Sequence, residues 1–231
     1  MITAKNLTKV YSGTTVLDIP DLFIPVGESF GLVGNNGAGK TTFFRLVLDL
    51  IRPQSGLVTS KERNVAGRED WKNYTGSYLD RNFLIDYLTP EEYFEFNGRI
   101  HGLSKEDIAQ FLESMMDFFN DEVLGKKKFI RDLSRGNQQK IGVAAALMAD
   151  PEVLVLDEPF NSLDPSSQIR LKNMLNKLKK EKQVTMMISS HDLNHVTEVC
   201  DRIAILEKGI IVKDLKTTES TLKELQSYFA V

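Results

Sequence analysis

The run Gly34-Asn35-Asn36-Gly37-Ala38-Gly39-Lys40-Thr41-Thr42 constrains this chain more than any other stretch. It fits G-x-x-x-x-G-K-[ST], a loop whose backbone N–H groups surround phosphates, whose lysine reaches the outer phosphate oxygens and whose hydroxyl meets Mg²⁺. Glycine lets the main chain approach the anion. Residues 30–33 before it read as a short buried strand, and residues 41–50 after it read as a helix with Phe44 and Val47 or Leu48 at helical spacing. A helix that starts where the loop ends aims its unpaired N–H groups and positive dipole end at bound phosphate.

The 231 residues suffice for one globular unit with an insertion, or for two small lobes. A net charge of −3 provides no basic field to gather nucleic acid, so nucleic acid is not an expected partner. The single cysteine, Cys200, has no internal disulfide partner, and beside Val196 and Val199 it reads as a small buried apolar residue suited to a reducing compartment. Residues 1–6 hold no apolar signal core, and the longest apolar run, residues 143–149, falls short of the ~18 residues that span a bilayer. Any membrane role is therefore expected to come through a partner.

Residues 2–25 alternate and are rich in β-branched types, with Ser12-Gly13 as a turn and Pro20 and Pro25 as breakers, which predicts two or three antiparallel strands. Tyr11 is placed either to stack on a nucleobase or simply as an exposed strand tyrosine. A turn at residues 52–56, a strand at 57–60, a charged connector at 61–71 and a strand at 74–79 follow. Thr89-Pro90-Glu91-Glu92 predicts a helix start closed by a capping box, and Ser104 opens a second helix with Ile108, Phe111, Leu112, Met115 and Phe119 on one face. Residues 133–140 lead into a helix that stops at Asp150-Pro151, and its Ser134 and Gly136 make a second potential anion site at a helix N-terminus.

Val153-Leu154-Val155-Leu156 is a continuous apolar run, as expected of a central parallel strand, and it ends in Asp157-Glu158. Ligands of open parallel sheets sit at the carboxyl ends of the strands, so Asp157 is a candidate Mg²⁺ ligand and Glu158 a candidate proton acceptor from water. An exposed acidic loop after a core strand is the plain alternative. Asp164-Pro165 caps a helix, residues 184–188 form another buried strand, and Ser189-Ser190 lead to His191 at the same sheet edge. That position suits a hydrogen bond to a terminal phosphate or an attacking water. A hairpin over residues 201–213 and a short helix from about residue 218 to 229 complete the chain.

The order of these motifs resembles the ATP-binding domain of ABC transporters over nearly the whole chain. The resemblance implies that Tyr11 stacks on adenine, that residues 34–42 are the Walker A loop, with Asn35, Asn36, Gly37, Ala38, Gly39, Lys40, Thr41 and Thr42 on the nucleotide, and that Ser134 and Gly136 belong to the signature. It makes residues 153–158 the Walker B strand, with Asp157 and Thr41 on Mg²⁺, residues 162–164 the D-loop, and Glu158 and His191 the catalytic pair. The chain departs from the family at three places. Asp80 stands where Gln or Glu is usual, leaving its direct contact with Mg²⁺ open, while Arg135 and Asn137 replace a Gly and a Gln of the signature.

The implied fold is a single α/β domain over residues 1–231: a P-loop NTPase core with a mixed sheet, an N-terminal antiparallel β subdomain and an inserted helical subdomain. Residues 1–80 and 136–231 would form the core with its β subdomain, and residues 81–135 the helical insert. The implied cofactors are ATP and Mg²⁺. The implied partners are a second copy or a paralogous ATPase domain, met head-to-tail, and an integral membrane permease that would hold the chain at the cytoplasmic face. Export is favoured because no further C-terminal domain follows and because Asp86-Tyr87-Leu88-Thr89 looks like exporter ATPases. The alternative is a soluble ABC ATPase that assembles or remodels a protein complex without transport.

Overall fold

A computed structural model of the chain describes residues 1–230. Its first strands, β1 (Ile2–Tyr11) and β2 (Thr14–Ile24), pair antiparallel through a two-residue turn, Ser12 at φ 49 and Gly13 at φ 80. Two successive positive φ values are what a tight hairpin needs to match the strand twist. Pro20 does not break β2, contrary to the expectation from sequence. The strand order β2-β1-β4-β5 puts β2 at an edge, where proline's missing N–H costs no ladder bond.

β3 (Ser29–Val33) is buried along its whole length and runs into the phosphate loop and α1 (Lys40–Val47). β4 (Ser55–Ser60) starts two residues earlier than expected, and the charged connector contains a two-residue strand, β5 (Arg63–Asn64). After β6 (Thr75–Tyr78) come α2 (Pro90–Ile100), α3 (Lys105–Ser114) and α4 (Met116–Phe119), with no strand between β6 and the next long helix. The capping box at Thr89 and Glu92 forms as expected, and a second one closes α3 through Ser104 and Asp107.

Helix α5 (Arg135–Leu147) is capped by Ser134, and β7 (Val153–Leu156) follows it. α6 (Pro165–Lys182) is capped by Asp164, then β8 (Thr185–Ser190), α7 (Leu193–Val199), β9 (Arg202–Glu207) and β10 (Ile210–Lys216) follow. The last helix, α8 (Thr221–Phe229), begins three residues later than residue 218, because Thr218 donates its N–H to Thr221 Oγ1 at 2.8 Å instead of entering the helix.

The main sheet has the order β10-β9-β3-β8-β7-β6 and is parallel from β9 to β6, with β10 antiparallel at one edge. Apolar side chains pack on both of its faces, in two clusters. Phe30, Leu32, Phe43, Phe44 and Val155 join the antiparallel sheet's Leu7, Leu17 and Ile19 in one. Leu154, Leu156, Ile141 and Val143 join Phe94, Phe118 and Phe119 of the helical segment in the other. Each cluster takes alternate residues of β7, as the two-residue period of a strand requires. Cys200 is buried. Among the described residues no helix is long and apolar enough to cross a membrane.

Candidate active site

Parallel register brings the polar strand ends together. Leu156 is level with Ile188 and Val33 with Ser190, so the carboxyl ends of β7, β8 and β3 emerge side by side at one sheet edge. Asp157 follows Leu156, Ser189 follows Ile188, and Gly34 follows Val33. Ligand sites of open parallel sheets occupy this edge.

The phosphate loop is fixed from behind. A Cβ on Gly34 would stand 2.3 Å from the Leu206 carbonyl oxygen, and one on Gly39 would stand 2.9 Å from that of Val16 at φ 111, so no side chain fits either position. Gly209 N–H donates to the Ala38 carbonyl at 2.8 Å, and the Gly209 carbonyl accepts from Asp18 N–H at 2.8 Å. Gly39 occupies the N-cap of α1 with no side-chain cap, which leaves the first-turn N–H groups for an anion. Lys40 is buried; its ammonium donates to the Gly34 carbonyl at 2.6 Å and lies 3.3 Å from Glu158 Oε1.

Thr41 donates its hydroxyl to Asp157 Oδ2, and Ser189 donates its hydroxyl to Asp157 Oδ1. Asp157 is buried, and burial pushes its carboxyl above the usual carboxylate range, against the hydroxyls and Lys40, which favour the charged form. Ser189 Oγ also accepts the Glu158 N–H at 2.9 Å. His191 Nδ1 is 2.9 Å from Glu158 Oε2, and the His191 N–H donates to the same oxygen at 3.3 Å. Facing a carboxylate, which only accepts, Nδ1 carries the proton and Nε2 is left to face outward.

Lys40, Thr41, Asp157, Glu158 and His191, all named from sequence, therefore converge on one point. Tyr11 is largely exposed at the hairpin end, with Lys9 Nζ 4.9 Å from its ring centre, and its strand partner Thr14 lies two residues before Val16, which abuts Gly39. Ser134 and Gly136 do not join this cluster: among the described residues no hydrogen bond or ion pair links them to it. Ser134 Oγ accepts the Asn137 N–H at 3.2 Å, and Gly136 lies against the D-loop, where its Cβ would stand 2.6 Å from the Ser162 carbonyl. Asn137, one of the family departures, donates to the Glu122 carbonyl at 3.2 Å. Asp80 turns its carboxylate onto its own loop, accepting the Asn82 N–H at 2.6 Å as the cap of a short 3₁₀ turn.

Reading the sequence missed Ser189, Gln139 and Lys140. Ser189 touches both acids, yet a serine at a strand end carries no periodic signal. Gln139 Nε2 donates to the Glu158 carbonyl at 3.1 Å. Lys140 is fully buried on α5 and pairs with Glu122 at 2.8 Å; a lysine among the apolar positions of a helix was the available sign.

The oxygens of Thr41 and Asp157 are hard donors that meet face to face, a set suited to Mg²⁺ that keeps waters and phosphate oxygens as its other ligands. No group of three or more His, Cys, Asp or Glu side chains among the described residues forms an all-protein metal cage. A phosphate loop between a parallel strand and a helix, facing two acids on a neighbouring buried strand, defines an α/β P-loop NTPase. The ABC transporter family model matches residues 17–161. The bacitracin transport ATP-binding protein BcrA of Enterococcus faecalis is 34% identical over 228 residues, covering 95% of this chain and 70% of that protein. The ABC transporter ATP-binding protein YhaQ of Bacillus subtilis is 35% identical over 229 residues, covering 99% and 74%. A dimeric structure of the ABC transporter cassette MJ0796 superposes with a TM-score of 0.85 at 25% identity, covering 94% of this chain and 99% of that one; the same cassette in a post-hydrolysis state with ADP and Pi matches equally. The chain belongs to the ABC transporter family, as one of its ATP-hydrolysing ATP-binding domains.

Proposed function

We propose that this chain hydrolyses ATP in a head-to-tail dimer and thereby drives substrate movement, in the direction of export, through a separate integral membrane permease. The convergence of Lys40, Asp157 and His191 on Glu158 and Thr41 carries the reading. Residues 35–42 wrap the phosphates with main-chain N–H groups, and Tyr11 stacks on the adenine from the adjoining hairpin. Thr41 and Asp157 would hold Mg²⁺, which would supply positive charge to neutralise the phosphates of bound ATP. Lys40 exchanges Glu158 for the outer phosphate oxygens, a stronger anion, and so leaves the carboxylate free to accept a proton from water. His191, held by the same carboxylate, presents Nε2 to the terminal phosphate or that water. Ser134 and Gly136 serve the nucleotide of the partner copy, since they lie outside their own chain's cluster.

Transport is favoured over assembly of a soluble complex by the similarity to BcrA, a bacitracin transport ATP-binding protein. Export rests on the likeness of residues 86–89 to exporter ATPases. Glu158→Gln tests the core of the reading, because it keeps the shape and removes the proton acceptor. Turnover should fall by about 10²–10⁴-fold with nucleotide affinity preserved. Near-normal turnover in the purified variant would remove Glu158 from this role.

A further inference from the structure

Glu158 leaves β7 in the left-handed region, at φ 49. A residue with a side chain persists there only where its surroundings hold it. Its N–H is held by Ser189 Oγ, and its carbonyl accepts from Gln139 Nε2 at 3.1 Å and from Asn161 N–H at 3.1 Å. The Gln139 amide is itself oriented, because the Tyr78 hydroxyl is 3.0 Å from its Oε1 and donates to it. A carbonyl only accepts, so Nε2 must face Glu158, and the oxygen is left for the hydroxyl; the two contacts fix one amide orientation.

Tyr78 is the last residue of β6 and Gln139 lies in the second turn of α5. The buried Tyr78 ring fits against α5 only because Gly142 is there: a Cβ at that position would stand 2.0 Å from Cε2 of the ring. The same strand end is bound to Walker B through the Asp157 N–H, which donates to the Tyr78 carbonyl at 2.9 Å. Three elements thus meet at the Glu158 peptide: the strand that leads to Asp80, the helix that Ser134 caps, and β7.

We propose that Tyr78 and Gln139 are positioning residues for hydrolysis: the Tyr78 hydroxyl orients the Gln139 amide, which holds the Glu158 peptide so that its carboxylate stands between Lys40 and His191. This rests on the reading of Glu158 as proton acceptor. Neither residue contacts the phosphate loop, so their effect belongs to the chemical step and not to nucleotide affinity.

The full chain is assayed at the protein concentration of maximal specific activity, with turnover, KM and nucleotide affinity measured for Tyr78→Phe, Gln139→Leu, Gln139→Glu and the Tyr78→Phe/Gln139→Leu double variant. Gln139→Glu still accepts from Tyr78 but sets a carboxylate oxygen against the Glu158 carbonyl. Both Gln139 variants should lose kcat by about 10- to 100-fold at unchanged nucleotide affinity. Tyr78→Phe keeps the ring on Gly142, so it remains folded, and should lose about fivefold. The double variant should be no slower than Gln139→Leu, because Tyr78 acts only through Gln139. Wild-type kcat in both Gln139 variants, multiplied losses in the double variant, or an equal loss of nucleotide affinity would overturn the proposal. Glu158→Gln run alongside separates the two ideas. If it is dead while the Gln139 variants turn over normally, the positioning role alone falls; if it too is normal, both fall.

Discussion

Asp157 sits at the end of a strand buried on both faces, and its folded carboxyl is raised mainly by burial. The sign of the linkage follows: a group whose folded value lies above its unfolded one contributes stability below the unfolded range, and that contribution is lost as pH rises through the folded value. At neutral pH the ionised carboxylate is therefore carried at a cost. Asp157→Asn should unfold at higher urea than wild type at neutral pH, and the gap should close as pH falls to where wild-type Asp157 takes up its proton. Urea midpoints across that range check it; a lower midpoint for the variant at neutral pH would mean that the hydroxyls of Thr41 and Ser189 outweigh the burial cost. The same variant should lose Mg²⁺-dependent hydrolysis, a gain in stability at the expense of function. The acid pair was legible in the sequence because it interrupts an apolar run. Its neighbour Ser189 was not, since only the register Leu156 to Ile188 places it beside Asp157.

Between elements, β6 and α5 approach closely enough that a Cβ on Gly76 would stand 1.8 Å from the Ala146 carbonyl. Backbone cannot swing aside as a long side chain can, so Gly76→Ala should cost about 1–3 kcal/mol. Urea unfolding of the variant measures this, and an unchanged midpoint would show that the strand shifts freely. Asp80 belongs to the same strand's exit. Because its carboxylate caps the 3₁₀ turn at Arg81–Phe83, Asp80→Ala should lose up to about 1 kcal/mol and leave the Mg²⁺ dependence of basal hydrolysis unchanged. A large defect reversed by raised Mg²⁺ would instead make Asp80 a metal ligand. Capping signals such as Thr89 with Glu92 were readable because they are local. Whether Pro20 ends β2 was not, because an edge strand tolerates proline and edge position is a property of the sheet.

At the scale of the whole molecule, Ser134 and Gly136 stand apart from the loop they are proposed to complete, so the proposed site would need a second chain to be full. Specific activity should rise with protein concentration wherever the dimer is scarce. Mixing Ser134→Arg with Lys40→Ala chains should restore activity that neither has alone, because one of the two shared sites in the mixed dimer is then intact. A flat dilution series with no ATP-promoted dimer would contradict the shared site.

The sequence by itself determined the phosphate loop, the buried strands that carry Asp157 and His191, and the helix caps. Each depends on residues within a few positions of one another, through backbone conformation, hydrophobic run or local hydrogen bond. The order of those motifs was also enough to resemble one family across nearly the whole chain. Tertiary structure alone decided the rest. Strand order and register made Ser189 a bridge between two acids, and the packing of β6 on α5 turned Tyr78 and Gln139 toward Glu158. It also divided the apolar residues into one core on each face of the sheet, so that the helical segment shares a core with β7 although 34 residues separate Phe119 from Leu154. Contacts between residues so far apart in the chain leave no local pattern, because they are fixed by which faces are buried together.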